Sequence, residues 1–325
     1  MPQGRPTWRF APRGLAGARV PPEICFAREG LARFGRGGGW SFVLALRRTL
    51  RSLRVVLLAC SALAAPAFAQ GKLEARYVAT LAGIPIGKGN WVIEVNDTHY
   101  SAAASGVTTG LMRVLTKGEG TSAAHGTLNG GHPLASVYAS TIKSRSWPDK
   151  VRVTLDNGDV KDFKADPPPD DSHERVPLTE AQRHGVLDPM TASLMRVPGD
   201  GSPVAPEACQ RKVAIFDGRL RYDLQMAFKR TETVKAAKGY SGPVVVCAVY
   251  FSPVGGYIPS RATIKYLTKQ RDMELWLAPI AGTRVLVPFR AQGPTPIGEA
   301  VMVATQFVTE ATATTRASAN GSKGR

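Results

Sequence analysis

The side chains able to do chemistry in this chain are few and far apart. Five histidines stand at His99, His125, His132, His173 and His184. No two have the spacing that sets imidazoles on one helix face or in one finger around zinc. Ser140 and Lys143 match the Ser-x-x-Lys pattern of penicillin-binding enzymes, where a serine nucleophile needs its lysine on the same helix face. Here PLASVYASTIK (133–143) reads as a strand, in which residues three apart point to opposite faces. The Lys-Thr-Gly and Ser-Asp-Asn elements that complete that site are absent. Asp170 and Asp171 offer paired carboxylates, but they sit in the proline-rich loop DPPPDDSHERVP, a solvated setting. Asp156-Asn157-Gly158-Asp159 carries calcium-type donors and is explained as a tight hairpin turn. No Gly-x-Ser-x-Gly elbow occurs, and Gly37-Gly38-Gly39 lacks a phosphate-binding lysine. The expectation is no catalytic residue, no metal and no cofactor. A hydrolase assembled from residues distant in sequence is the alternative.

Four cysteines remain to be placed: Cys25, Cys60, Cys209 and Cys247. Their fate depends on the N-terminus. Residues 46–69 have the three parts of a secretory signal. Arg47, Arg48, Arg51 and Arg54 form its basic region, and Val55 to Ala65 its apolar core. Ala67-Phe68-Ala69 is the small-x-small cleavage motif, with Gln70 as the mature start. The apolar run is shorter than the ~20 residues a helix needs to span a bilayer, so no transmembrane span is expected in the mature form. Residues 1–45 are rich in Arg, Gly and Pro without periodicity. They are expected to be a misassigned start, with Val43 as an alternative, or a disordered leader. Export removes Cys25 and Cys60 and carries Cys209 and Cys247 into an oxidising, periplasmic compartment. Those two are expected to pair, tying one strand to another across a hairpin. The rival reading is a catalytic thiol. It fits poorly, because Cys247 lies in the apolar run VVVCAVYF, where a thiolate is unfavourable, and Cys209 has no base nearby in sequence.

The net charge of +17 suggests nucleic acid at first sight. About half of it comes from residues 1–69, which hold 11 Arg and two acids. The rest is dispersed, without basic-aromatic interleaving or a helix-turn-helix, so nucleic-acid binding is not expected. A mild positive field suits a protein near anionic lipid or polysaccharide.

The elements that must position these groups are mostly strands. KLEARYVATLAG, GNWVIEV, THYSAAASG and a small-residue run at 119–127 alternate with period two. KVRVTLDNGDVKDFKA is a hairpin turned at Asn157-Gly158. In RLRYDLQMAFKR, Leu220, Tyr222, Leu224, Met226 and Phe228 face one way, with Asp223 on the polar side. VVVCAVYF is apolar throughout, as in a strand covered on both faces. Residues 273–280, 284–291 and 300–308 add three strands. LDPMTASLMRV (187–197) is the main helical candidate, with Asp188 as cap and Pro189 in the first position. TGLMRVLT (109–116) is a second, shorter one. This predicts an all-β protein with one or two short helices over 70–309, one domain, and a disordered tail over 310–325. Such a sheet must close or curl to protect its edges. Tyr77, Trp91, Tyr100, Tyr222, Phe228 and Trp276 fall on its strands. Most are expected in the core, and some are candidates for lining an apolar groove in an incompletely filled half-barrel.

Several segments carry a resemblance beyond these patterns. They are RYVATLAGIPIGKGNWVIEV, YSAAASGVTTGLMRVL, LDPMTASLMR, CQRKVAIFDGRLRYDLQM with CAVYF after it, and MELWLAPIAGTRVLVPFRAQGPTPIGEAVMVATQF. Together, over roughly residues 72–309, they resemble the exported bacterial domain-of-unknown-function family 3108. The resemblance implies an envelope or periplasmic location and a curled antiparallel architecture, a β-spiral or open half-barrel. By fold analogy with envelope-integrity proteins and lipoprotein carriers, it points to a maintenance or binding module that engages an envelope protein or a lipid-like ligand. The family supplies no catalytic residues to carry over, and the oligomeric state is left open.

Overall fold

The computed structural model describes residues 70–110, 118–130, 132–144 and 148–312. The leader, the signal with Ala67 and Ala69, most of the 109–116 segment and the tail beyond 312 lie outside the described residues.

The first half of the sheet is a meander. Its strands are β1 (Gly71–Leu81), β2 (Ile84–Val95), β3 (His99–Thr108), β4 (Glu119–Asn129), β5 (His132–Lys143), β6 (Asp149–Asp156) and β7 (Asp159–Asp166). The second half holds β8 (Met195–Arg196), β9 (Lys212–Phe216), β10 (Arg221–Lys235), β11 (Lys238–Gly239), β12 (Ser241–Gly255), β13 (Glu274–Pro279), β14 (Val285–Thr295) and β15 (Gly298–Ala311). Strand β15 returns to lie beside β1. The spatial order is then β7-β6-β5-β4-β3-β2-β1-β15-β14-β13-β12-β10-β9, with β8 on β14 and β11 on β15. The pairing is antiparallel except for the two-residue β11. The hairpin between β6 and β7 turns at Asn157-Gly158, both with positive φ, as its Asn-Gly dipeptide predicts.

The sheet curls until its end strands approach. Phe163 on β7 packs edge-on against Phe216 on β9 with ring centroids 5.2 Å apart, and Arg219 reaches Asp149 at 2.8 Å. Among the described residues no strand-to-strand pairing of β7 with β9 closes the seam. A strap at Val186-Leu187 bridges it instead. Val186 N donates to Gly158 O (2.8 Å), Leu187 N to Ala214 O (2.9 Å), and Phe216 N to Leu187 O (2.9 Å).

Immediately after the strap comes α1 (Pro189–Ala192), a single turn buried inside the curl. Its Met190, with Leu194 just beyond, joins the main core beside Tyr100, Ala124, Tyr138 and Val153. Asp188 caps it. One carboxylate oxygen accepts from Met190 N (2.9 Å) and Thr191 N (3.0 Å), and the other accepts from Thr191 Oγ1. Tyr100 OH then donates to Thr191 Oγ1 (2.5 Å). Burial pushes the Asp188 carboxyl above its ordinary range, against the pull of these donors. A smaller core on the other half gathers Met195, Met226, Val245, Leu277 and Leu286 around a disulfide between Cys209 and Cys247.

Several sequence expectations need correcting. The helix expected over 187–197 is only the turn at 189–192; Met195 and Arg196 pair with Leu286 and Val285 as a strand. The disulfide joins a 3-10 turn (Pro206–Cys209) to β12, not two strands of a hairpin. Strand β15 runs to Ala311, past the expected start of a disordered tail at 310. On β10 the alternation breaks. A bulge between Phe228 and Arg230 leaves Phe228 39 % exposed. Asp223, placed on the polar side, is buried between Lys212 (2.8 Å) and Arg221 (2.6 Å). A helix that the sequence reading missed, α2 (Ala262–Lys269), links β12 to β13. The apolar run of β12 is covered on both faces as expected: Val244 and Val246 join the main core, Val245 and Cys247 the smaller one.

Candidate functional site

The lower part of the curl is filled by α1 and large side chains; the upper part is not. The cause is a row of cross-strand partners: Tyr77 on β1 opposes Gly89 on β2, Gly89 opposes Gly106 on β3, Gly106 opposes Gly120 on β4, and Gly120 opposes Ile142 on β5. Cross-strand partners share a face, so three glycines lie side by side between a tyrosine and an isoleucine. The next row down holds Trp91, Ala104, Ser122 and Ser140. The floor so formed bounds an open space of about 460 Å³, lined by Tyr77, Trp91 and Ile142 as well as the glycines.

A second space of about 670 Å³ lies beyond it, lined by Tyr222, Leu224, Val249, Leu275, Met273 and Leu267, with Pro189 and Ala192 of α1 among its walls. The two spaces share Ala79 and Met302, which are register partners on β1 and β15. The two spaces adjoin at that pair, and together they make up the trough. Each space is within the ~300–1,000 Å³ of ordinary ligand sites. Titratable chemistry is sparse along it. Tyr77 OH is committed to Pro288 O at 2.6 Å, and burial drives its ionisation upward. The indole N–H of Trp91 is out of contact with water and meets no acceptor among the described residues.

The six aromatic candidates separate. Tyr77 and Trp91, with rings 6.5 Å apart, line the first space, and Tyr222 lines the second. Tyr100 is buried lower down on Thr191. Trp276 is 3 % exposed, with Arg290 and Arg230 against its ring at 4.8 and 5.5 Å and its N–H donating to Glu232 at 2.8 Å. Phe228 lies on the surface. The glycine row escaped sequence reasoning. Its glycines fall in GNWVIEV, THYSAAASG and the run at 119–127, each readable as a strand, but only the register shows that they meet.

The groups that could do chemistry stay dispersed. Ser140 Oγ meets Ser122 Oγ at 3.0 Å, while Lys143 pairs with Glu119 at 2.9 Å. His184 contacts Asp159 at 3.0 Å, and His99 contacts Thr98 at 2.7 Å. His125, His132 and His173 are exposed. Among the described residues no three His, Cys, Asp or Glu side chains gather as a metal site would require. The same residues contain no helix long and apolar enough to cross a membrane.

A family model described as protein of unknown function (DUF3108) matches residues 76–305. A solved structure, a beta-barrel-like protein of domain of unknown function DUF1849 from Brucella abortus, is similar over 76 % of this chain and 100 % of its own. The identity is 7 % and the TM-score 0.38. No curated protein matches the chain.

Proposed function

Given that the chain belongs to the DUF3108 family, we propose that it is an exported, non-catalytic binding module of the cell envelope whose trough takes an apolar, chain-like ligand such as a lipid acyl chain. One observation carries this reading: an elongated apolar trough floored by three register-matched glycines, where bulkier residues would fill the curl. The spread of its lining from Ile142 on β5 to Tyr222 on β10 suits an extended chain better than a compact solute. Its walls supply dispersion and burial with few directional polar groups, which suits a hydrocarbon. The secretory signal read at 46–69 and the cleavage motif ending at Ala69 support export, and the Cys209–Cys247 bond agrees with an oxidising compartment.

The test is extraction of the protein purified from its native envelope, followed by mass spectrometry of what comes off. The expected result is a stoichiometric lipid or fatty acid. Protein that emerges clean, and that binds no acyl probe on titration, would overturn the reading.

A further inference from the structure

The upper end of the curled sheet has a composition at odds with an ordinary solvated rim. The β1–β2 and β14–β15 turns are neighbours there, because Leu81 opposes Ala300 and Ala82 N donates to Glu299 O (2.9 Å). One tip carries Ile84-Pro85-Ile86 and the other Pro296-Ile297. Ile84 is 62 % exposed and Ile297 72 % exposed. Ile142, near the upper end of β5, is 56 % exposed. Large aliphatic side chains at hairpin tips contribute nothing to the core, and several at one end form a patch.

Beside the tips lies α2. Its Tyr266 and Leu267 face Pro294 and Pro296 of the β14–β15 hairpin across a small cleft, and Leu267 also lines the trough. The segment from Arg261 to Asp272 carries Arg261, Lys265, Lys269 and Arg271 and one acid of its own, Asp272; Arg261 is paired with Asp170 at 2.7 Å, which leaves Lys265 and Lys269 as the cations the inference rests on. Lys265 and Lys269 are exposed. Lys88 adds a further exposed cation near the tips, and Glu299 an acid. The rim therefore combines protruding isoleucines with a basic amphipathic helix, the combination that seats a protein in the headgroup region of an anionic bilayer.

From this juxtaposition we infer that the upper rim docks on an anionic lipid surface, with Ile84 and Ile297 entering the headgroup–acyl boundary and α2 lying along the headgroups. Charge complementarity favours lipid over a protein partner: an apolar protein groove would cover the isoleucines but would leave Lys265 and Lys269 without counter-charge. The inference stands whether or not the trough holds a ligand. It also places the mouth of the trough, through Leu267, against the surface from which a chain could enter.

The experiment is sedimentation of the protein, purified as cells make it, with vesicles of phosphatidylcholine alone or mixed with phosphatidylglycerol. Binding is expected only to the mixed vesicles, weakening with added salt. Ile84→Ser with Ile297→Ser should weaken it at least about tenfold, because both apolar side chains that would leave water on docking are removed. Lys265→Glu with Lys269→Glu should also weaken it and flatten the salt dependence. Docking on mixed vesicles by protein that yields no lipid on extraction would overturn the ligand reading and leave this inference standing, which keeps the two failures distinguishable. Ile84, Ile297, Lys265 and Lys269 are all exposed, so the melting temperatures of both double variants should match wild type. No binding to mixed vesicles, equal binding to both vesicle types, or unchanged binding by the isoleucine double variant would each overturn the inference.

Discussion

Replacing Gly106 and Gly120 by valine should make the protein more stable and less able to bind. A Cβ built on Gly106 has Lys88 O as its nearest neighbour at 3.6 Å; one on Gly120 meets Thr141 O at 3.7 Å and Ile142 Cγ1 at 3.8 Å. All three are ordinary van der Waals distances, and neither residue has a positive φ. Glycine inside a strand costs roughly 0.5–1 kcal/mol relative to alanine, and β-branched residues suit strands better still. The double variant should gain about 1–2 kcal/mol, a rise of roughly 3–6 °C in melting temperature for a body of this size. Each valine also adds three carbons to the trough floor. An acyl chain displaced from two or three methylene contacts loses about 2 kcal/mol, roughly thirtyfold in affinity. Thermal melting and titration with a fluorescent acyl probe measure the two effects on one sample. A lower melting temperature would show that the floor is not open. A stabilised protein with undiminished affinity would show that the trough is not where the chain binds.

Three further outcomes follow from the packing. Removing the disulfide with Cys209→Ala and Cys247→Ala should cost about 4 kcal/mol on the loop-entropy account for a separation of 38 residues, read as a fall of roughly 10 °C in the melt; an unchanged melt would refute its role. Asp188→Ala strands two backbone amides and a hydroxyl in a buried site and should cost about 3 kcal/mol by urea unfolding. Asp188→Asn keeps an accepting oxygen and lets the Thr191–Tyr100 hydroxyls reverse, so it should stay within about 1 kcal/mol of wild type; equal losses in both variants would refute the capping account. Hydrogen bonds from Arg230, with Lys229 adding to them, hold the Glu274 carboxyl down to about 2. Its folded value lies below its unfolded one, so its contribution is present above about pH 4.5 and lost as the pH falls towards 2, at about 2 kcal/mol after allowance for solvent screening. Buried Asp188 and Asp217 are shifted the other way, so they lose stability as the pH rises and partly mask this limb. Unfolding measured across that window should show a flatter acid limb for Glu274→Gln; an identical limb would refute the assignment.

How much of this was legible in the sequence follows from the range of each signal. Strands with strict alternation, such as that carrying Tyr100, Ala102 and Ala104, and the Asn157-Gly158 turn were readable because their causes are local. The run at Val244–Cys247 announced burial on both faces for the same reason. The 187–197 stretch misled: its capping residues are real, but Met195 is drawn into pairing with Leu286, and tertiary contact overrides helix propensity. Helix α2 went unseen because ATIKYLTK has no cap and no buried side chain to set a period. The trough was out of reach for a different reason. Gly89, Gly106 and Gly120 become a floor only through two cross-strand registers, which no single segment encodes.

The strap at Val186-Leu187 also bears on whether the protein stays in solution. A long sheet with two free ends invites other chains to add strands, because an unpaired edge offers a full ladder of donors and acceptors. Leu187 occupies the β9 ladder at Ala214 and Phe216. The other end, β7, reads DVKDFKAD, with Lys161, Asp162 and Lys164 exposed along it. One edge is capped by the chain itself and the other is guarded by charge, so the sheet that curls around the trough does not offer itself as a template for fibrils.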